Sequence, residues 1–324
     1  MRLCVLVSRQ NVDVEINLAP VAQIWANQPV ELIGSNMSGM RYEAPGSVDE
    51  AVTLLADANG AARVLAGGTD LLVQLRAGMI NPDVVVNIKN IAETHGITTD
   101  GGGFCIGASV SGAEMGEHET LCAAWPGVVE GAELIGSTQI QGRATMAGNL
   151  CNSSPAADSV PALIAAGATC TIAGPNGQRE VPVADIPTGP GKNSLANGEF
   201  ILNIKLPARP ANASDAYLRM IPRTEMDIAI VGAGVNLVLD SDGTCTAASV
   251  VLGAVGPKTI TVADAAAALV GSKVDDAALA AVKAAASAAA TPIDDKRGTV
   301  AYRTKVAGVM AARAAAIAAT RARS

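Results

Sequence analysis

Apolar residues recur along this chain with two alternating periods, and the switches between them mark out its elements. Ala51, Leu54, Leu55 and Ala58 fall at the spacing of one helix face. Ahead of them Ser47 and Glu50 form a capping box, in which a hydroxyl and a carboxylate satisfy the helix's first free N–H groups. A short apolar strand follows over 62–66. Gly67-Gly68 breaks it, Thr69 is placed to cap a helix carrying Leu71, Leu72 and Leu75, and Gly78 stops that helix. Two further apolar runs, 83–88 and 104–108, read as strands, the second entered through Asp100-Gly101-Gly102-Gly103. Ser111 and Glu114 form another capping box. Pro175-Asn176-Gly177, between the runs 168–173 and 179–183, predicts a hairpin.

Around 207–215 the chain turns to Pro, Ala, Asn and Ser, which is linker composition. Long strands are predicted over 228–239 and 247–254, joined by Ser241-Asp242-Gly243. Ala-rich helices are predicted over 263–270, 275–290 and 300–319. Strands first and helices after predict an α+β domain with helices on one sheet face. Residues 40–210 and 211–324 therefore read as two domains. Residues 1–39 carry no periodicity and read as an extension, either disordered or arising from a start codon set too early.

Composition narrows the function. Hydrophobic residues make up 49% of the 324 but aromatics only 2%, so the cores must be built from Ala, Val, Leu and Ile. A net charge of −7 argues against a nucleic-acid partner, whose phosphates favour a basic face. No apolar run approaches the roughly 18 residues of a membrane-spanning helix. The apolar stretch at Met1–Val7 is too short for a signal-peptide core. Six cysteines without a C-x-x-C pair, and only His95 and His118 beside them, leave no expected metal site. Scattered cysteines with no export signal point to the cytoplasm. His118 reads as a solvated helix residue, and Phe104 and Trp125 as core.

Two segments carry the candidate chemistry. In Val64-Leu-Ala-Gly-Gly-Thr-Asp-Leu71 a strand runs into two residues without a Cβ and then into a helix start. Backbone N–H groups can approach an anion closely there, and the helix dipole favours it. The same pattern also serves as a plain turn. In Thr145-Met-Ala-Gly-Asn-Leu-Cys-Asn-Ser-Ser-Pro-Ala-Ala-Asp158, hydroxyl, amide and glycine donors suited to a diphosphate precede Asp158 at a helix start. Asp158 could accept from ribose hydroxyls, or simply cap the helix. A third candidate, Gly232-Ala-Gly-Val-Asn-Leu237, lacks the third glycine of a Rossmann fingerprint and lies within a strand.

Taken together, the first two segments resemble the FAD-binding medium subunits of the xanthine dehydrogenase and carbon monoxide dehydrogenase family of molybdenum hydroxylases. The resemblance rests on Ala66-Gly-Gly-Thr-Asp70 and on Gln139-Ile-Gln-Gly-Arg-Ala-Thr-Met-Ala-Gly-Asn149. It continues through Ser159, Pro161 and Leu163, Gly198-Glu199, Lys205-Leu206-Pro207, Arg223, Asp227-Ile228-Ala229, Leu252-Gly253-Ala254 and Tyr302-Arg303. It implies a two-lobed α+β FAD-binding domain of the PCMH or vanillyl-alcohol-oxidase type, followed by an α+β C-terminal domain of antiparallel sheet and helices.

Several site assignments follow from that resemblance. Leu65, Ala66, Gly67, Gly68, Thr69, Asp70 and Leu71 would face Thr145, Met146, Ala147, Gly148 and Asn149 across the FAD pyrophosphate. Asp158 would contact the ribose or adenosine side, Leu202 would lie near the flavin or adenine, and Arg219 stands where relatives often have Lys. Ala147 replaces a family glycine, which would cost strain if that position needs a positive φ. The resemblance further implies no catalytic residue in this chain. Its partners would be a molybdopterin-bearing large subunit and a small subunit with [2Fe–2S] clusters, in a dimer of heterotrimers, with electrons leaving from FAD to an external acceptor. The alternative is a self-sufficient flavin-dependent oxidoreductase of the same FAD-binding superfamily.

Overall fold

The computed structural model describes residues 39–324; the extension read over 1–39 lies, Gly39 excepted, outside the described residues. Strand β1 (Arg41–Glu43), helix α1 (Val48–Asp57), β2 (Ala62–Leu65), α2 (Leu71–Arg76) and β3 (Val84–Asn87) form a parallel unit with strand order β1-β3-β2. The central strand β3 is buried at every residue, as a strand flanked on both edges and covered by helices must be. Ser47 caps α1 by accepting from the Glu50 N–H, while the Glu50 carboxylate reaches the N–H of Gly46. The start of α2 departs from expectation. Gly68 lies at φ +78°, and the Leu72 N–H already bonds its carbonyl at 3.0 Å. Thr69 is thus inside the entering turn, Asp70 takes the cap position, and no side chain caps the helix.

The second lobe begins with β4 (Ile97–Asp100) and β5 (Gly103–Gly107). A run of short helices follows: α3 (Gly112–Gly116), α4 (Glu119–Ala124), α5 (Pro126–Glu133), α6 (Thr138–Gln141), α7 (Met146–Asn152) and α8 (Ser159–Ala165). Then come β6 (Thr169–Gly174), β7 (Gly177–Pro182), the small pair β8 (Pro187–Gly189) and β9 (Lys192–Asn193), and β10 (Phe200–Leu206). The sheet is antiparallel in the order β4-β5-β10-β6-β7. Ser111 and Glu114 complete a reciprocal capping box on α3. His118 is not a free solvated residue, because its ring Nδ1 accepts the Leu121 N–H at 3.2 Å and so satisfies a first-turn donor of α4. Phe104 packs edge-on against that ring, and Trp125 is 2% exposed.

The C-terminal part holds β11 (Ala213–Met220), β12 (Val231–Leu239), β13 (Cys245–Gly253) and β14 (Ile260–Thr261), an antiparallel sheet in chain order. Helices α9 (Ala263–Leu269), α10 (Asp276–Ala289) and α11 (Val300–Ala322) follow. Strand β12 starts later than its apolar pattern predicts, because Asp227 is held by Arg223 and Arg297 in a loop that leaves Ile228 53% exposed. Strand β11 begins inside the expected linker. Its Asp215 is polar yet buried, with Arg209 and the Val128 N–H as partners.

Strand alternation gives the C-terminal sheet two different faces. Ala233, Val235 and Leu237 share a core with Ala307, Ala311 and Ala314 of α11. On the other face Gly234 meets Pro161 of α8, where an added Cβ would lie 2.7 Å from the proline backbone. A Cβ added at Gly253 would lie 2.8 Å from the ring of the same proline. The Gly232-Ala-Gly-Val run therefore serves close helix–sheet packing and not a phosphate. In this way α8 joins the two parts, and Gly39–Ser324 forms one compact unit.

Candidate functional site

A cavity of about 690 Å³ opens above the C-terminal ends of β2 and β3. Three segments wall it: 66–71, which leaves β2 and enters α2; 145–152, which forms α7; and 191–201, which runs from β9 into β10. That volume falls within the range of roughly 300–1,000 Å³ typical of cofactor sites.

Glycine permits the close meeting of the first two walls. A Cβ at Gly67 would overlap the Arg143 carbonyl oxygen and lie 2.9 Å from its carbon. Opposite, the Thr145 hydroxyl caps α7 by accepting from the Gly148 N–H at 3.0 Å. Among the described residues no acceptor takes the N–H of Gly67, Gly68, Thr69 or Asp70, nor that of Met146 or Ala147. Two sets of unclaimed donors on opposing walls form a cradle whose chemistry favours an anion. Ala147 lies in the first turn of α7 and is not among the residues of positive φ, so replacing the family glycine brings no left-handed strain.

The structure brings Ala66, Gly67, Gly68, Thr69, Asp70 and Leu71 together with Thr145, Ala147, Gly148 and Asn149 around the cavity. Leu65 and Met146 stand behind these walls: Leu65 packs beneath Gly68, and Met146 is 3% exposed. Leu202 is buried in β10 beside the lining residue Ile201.

Asp158 and Arg219 meet each other outside the cavity lining. Asp158 Oδ2 pairs with Arg219 Nη1 at 2.9 Å, and Oδ1 accepts from the Tyr217 hydroxyl at 3.2 Å. Asp158 stands at the cap position of α8 but makes no capping bond. Asn149 Oδ1 accepts from the Ser159 N–H and hydroxyl instead, at 3.2 and 2.8 Å. Burial pushes the Asp158 carboxyl up to about 6, outweighing the opposing pull of Arg219 and Tyr217.

The third wall was not legible as a site beforehand. Asn193 donates to the Cys151 carbonyl at 2.9 Å, and the Gly191 N–H bonds the Ser153 carbonyl at 3.0 Å, which docks the 191–201 segment onto α7. Glu199 lines the cavity with its charge held by a bidentate pair to Arg179, both bonds 2.8 Å. Gly198-Glu199 was the signal available in the sequence. Cys151 also lines the cavity, but burial pushes its thiol up to about 12, so it is protonated and a poor nucleophile at neutral pH. Among the described residues no helix is long and apolar enough to cross a membrane.

A two-lobed fold with facing donor-lined walls defines a dinucleotide-binding protein. Residues 36–209 match the model of the FAD-binding domain in molybdopterin dehydrogenase, and residues 216–318 match the CO dehydrogenase flavoprotein C-terminal domain. The carbon monoxide dehydrogenase medium chain of Afipia carboxidovorans is 34% identical over 284 residues, covering 87% of this chain and 98% of that one. A xanthine dehydrogenase FAD-binding subunit of Escherichia coli O157:H7 is 34% identical over 202 residues, or 62% of this chain and 69% of its own. The solved CO dehydrogenase of Oligotropha carboxidovorans superposes with a TM-score of 0.83 at 32% identity, covering 87% of this chain and 98% of that chain. Quinoline 2-oxidoreductase of Pseudomonas putida 86 gives 0.81 at 26%, covering 88% and 98%. The chain belongs to the family of FAD-binding medium subunits of heteromeric molybdenum hydroxylases.

Proposed function

We propose that this chain holds one FAD in the cavity and acts as the electron-relay subunit of a molybdenum hydroxylase. The observation that carries this reading is the pair of opposing walls with unclaimed N–H groups, brought together at a glycine whose Cβ would strike the Arg143 backbone. Gly67, Gly68, Thr69 and Asp70 on one wall and Met146 and Ala147 on the other would hold the diphosphate through backbone donors, with Gly148, whose N–H the Thr145 hydroxyl takes, and Asn149 beside them. When bound, FAD supplies the electron exchange between iron–sulfur clusters of a partner chain and an external acceptor. This chain's own residues bind it, orient it and wall it from solvent.

Substrate oxidation belongs, in this reading, to a molybdopterin-bearing large subunit, with [2Fe–2S] clusters on a small subunit. The assembly would be a cytoplasmic dimer of heterotrimers. Residues 40–210 would form the FAD-binding domain, and 211–324 the domain that packs on it. Asp158, paired with Arg219 outside the cavity lining, would contact the ribose or adenosine side of the cofactor, Arg219 would hold the place where relatives often have Lys, and Leu202 would lie near the flavin or adenine.

The test is to purify the chain, load it with FAD, and supply aldehydes, purines, N-heterocycles and carbon monoxide with an artificial acceptor. Flavin absorbance at one FAD per chain, with flavin reduction by substrate only after the metal-bearing subunits are added, is the expected result. Turnover by the chain alone would overturn the subunit reading. A chain that takes up no flavin would overturn the FAD reading itself.

A further inference from the structure

Lys89 stands immediately behind the first wall of the cavity. Its Nζ donates to the Ala66 carbonyl at 2.8 Å, while Ala66 and Gly67 line the cavity and Lys89 does not. In a trans peptide the C=O and the next N–H point in opposite directions. The bond that draws the Ala66 carbonyl toward Lys89 therefore turns the N–H of the cavity-lining Gly67 away from Lys89, and that N–H has no acceptor among the described residues. The lysine is itself fixed at its backbone. Its N–H donates to Asn87 Oδ1 at 3.1 Å, and its carbonyl is bonded by His95 Nε2 at 2.6 Å.

The charge there is uncompensated. Among the described residues neither Lys89 nor Arg143 has a carboxylate within ion-pair distance. The Arg143 backbone is the surface against which Gly67 packs. Burial, and then the Arg143 guanidinium, hold the Lys89 ammonium below the usual lysine range. Among the described residues the Lys89 ammonium, bonded to the peptide that opens the cradle, therefore leaves net positive charge directly behind the first wall, with the exposed Arg143 adding to it from outside the cavity lining.

We propose that Lys89 is the positioning residue of the cradle: it sets the Ala66–Gly67 peptide so that its N–H faces the cofactor diphosphate, and supplies with Arg143 the positive charge that the diphosphate neutralises. This rests on the FAD reading above and assigns the phosphate-selective part of the site to a residue outside the glycine motif.

The experiment titrates the full-length apoprotein and its Lys89→Met and Lys89→Arg variants with FAD, FMN and riboflavin, following flavin fluorescence, with thermal unfolding of each apoprotein alongside. Lys89→Met is expected to weaken FAD and FMN about ten- to a hundred-fold, the loss of one charge-assisted contact. Riboflavin, which has no phosphate, should bind as before, and Lys89→Arg should recover most of the loss. An unchanged FAD affinity in Lys89→Met would overturn the proposal. So would an equal loss for riboflavin, or a loss that Lys89→Arg does not relieve, since these mark a structural role only. If the unsubstituted protein binds none of the three, the FAD reading fails instead.

Discussion

Gly67→Ala tests the cradle at its tightest point. The new Cβ would overlap the Arg143 carbonyl oxygen, lie 2.9 Å from its carbon and 3.2 Å from the Ala144 Cα. All three are backbone atoms, so no side-chain rotation relieves the contact. To restore van der Waals spacing the 66–70 and 143–145 walls must part by about 1 Å. Overpacking of this kind costs about 1–3 kcal/mol of stability. Parting the walls also removes at least one N–H contact to the diphosphate, about 1.5–3 kcal/mol, which is roughly ten- to a hundred-fold in FAD affinity. Gly142→Ala is the control, because Gly142 has negative φ and nothing within 4 Å of its virtual Cβ. Flavin retention on desalting, a fluorescence titration and a thermal melt of both variants make the measurement. A Gly67→Ala protein that keeps FAD as tightly as Gly142→Ala would refute both the contact argument and the assignment of this turn to the phosphates.

Asp158 should give stability a recognisable pH signature. Its folded carboxyl titrates at about 6, against 3.8 when free, so between these values the folded state keeps a proton that the unfolded state has lost. Its contribution therefore falls as pH rises through that window, by about 3 kcal/mol at most. The stability of the natural protein relative to Asp158→Asn in urea should drop by that order between pH 4 and 7, and a constant or rising difference would contradict the burial. Asp215→Ala removes the acceptor of the Val128 N–H and the partner of Arg209, at 3.0 and 2.9 Å, and should cost about 3–5 kcal/mol in denaturant midpoint experiments. A cost below about 1 kcal/mol would show that solvent reaches the seam. Gly308→Ala drives a methyl into the Lys283 carbonyl and Ser287 hydroxyl where α10 and α11 touch. It should lower the melting temperature by an amount equivalent to about 1–3 kcal/mol, with FAD affinity intact.

What could be read from the chain beforehand was local. The caps at Ser47 and Ser111 involve partners a few residues away, and so does the hairpin closed by Gly174 and Gly177. The Ala-rich helices follow from propensity. The two glycine-bearing segments stood out because close backbone approach demands residues without side chains at particular steps, and they do meet around one cavity. The rest depends on pairings distant in sequence. Strand β10 earns its place only by lying between β5 and β6, and it carries a bulge at Leu202 that blurs its alternation. The 191–201 wall becomes a wall through bonds to Cys151 and Ser153, some forty residues upstream. Asp215 looks like linker polarity until Arg209 and the start of α5 are brought to it. Asp158 meets Arg219 across 61 positions, a partnership that no local pattern announces.

The seam of crossing pairs bears on how such chains can be recombined. Asp158 pairs with Arg219, Glu130 pairs with Arg321 and accepts the Tyr217 N–H, and Asp215 caps a helix of the other half. Each pair draws one member from before the junction near residue 210 and one from after it. A hybrid gene that joins the first half of one relative to the second half of another would have to inherit both members of every pair. A mismatched hybrid would confront unpaired charges across the seam, buried ones at Asp158 and Asp215 among them, so the two halves are expected to travel through gene shuffling as a single cassette.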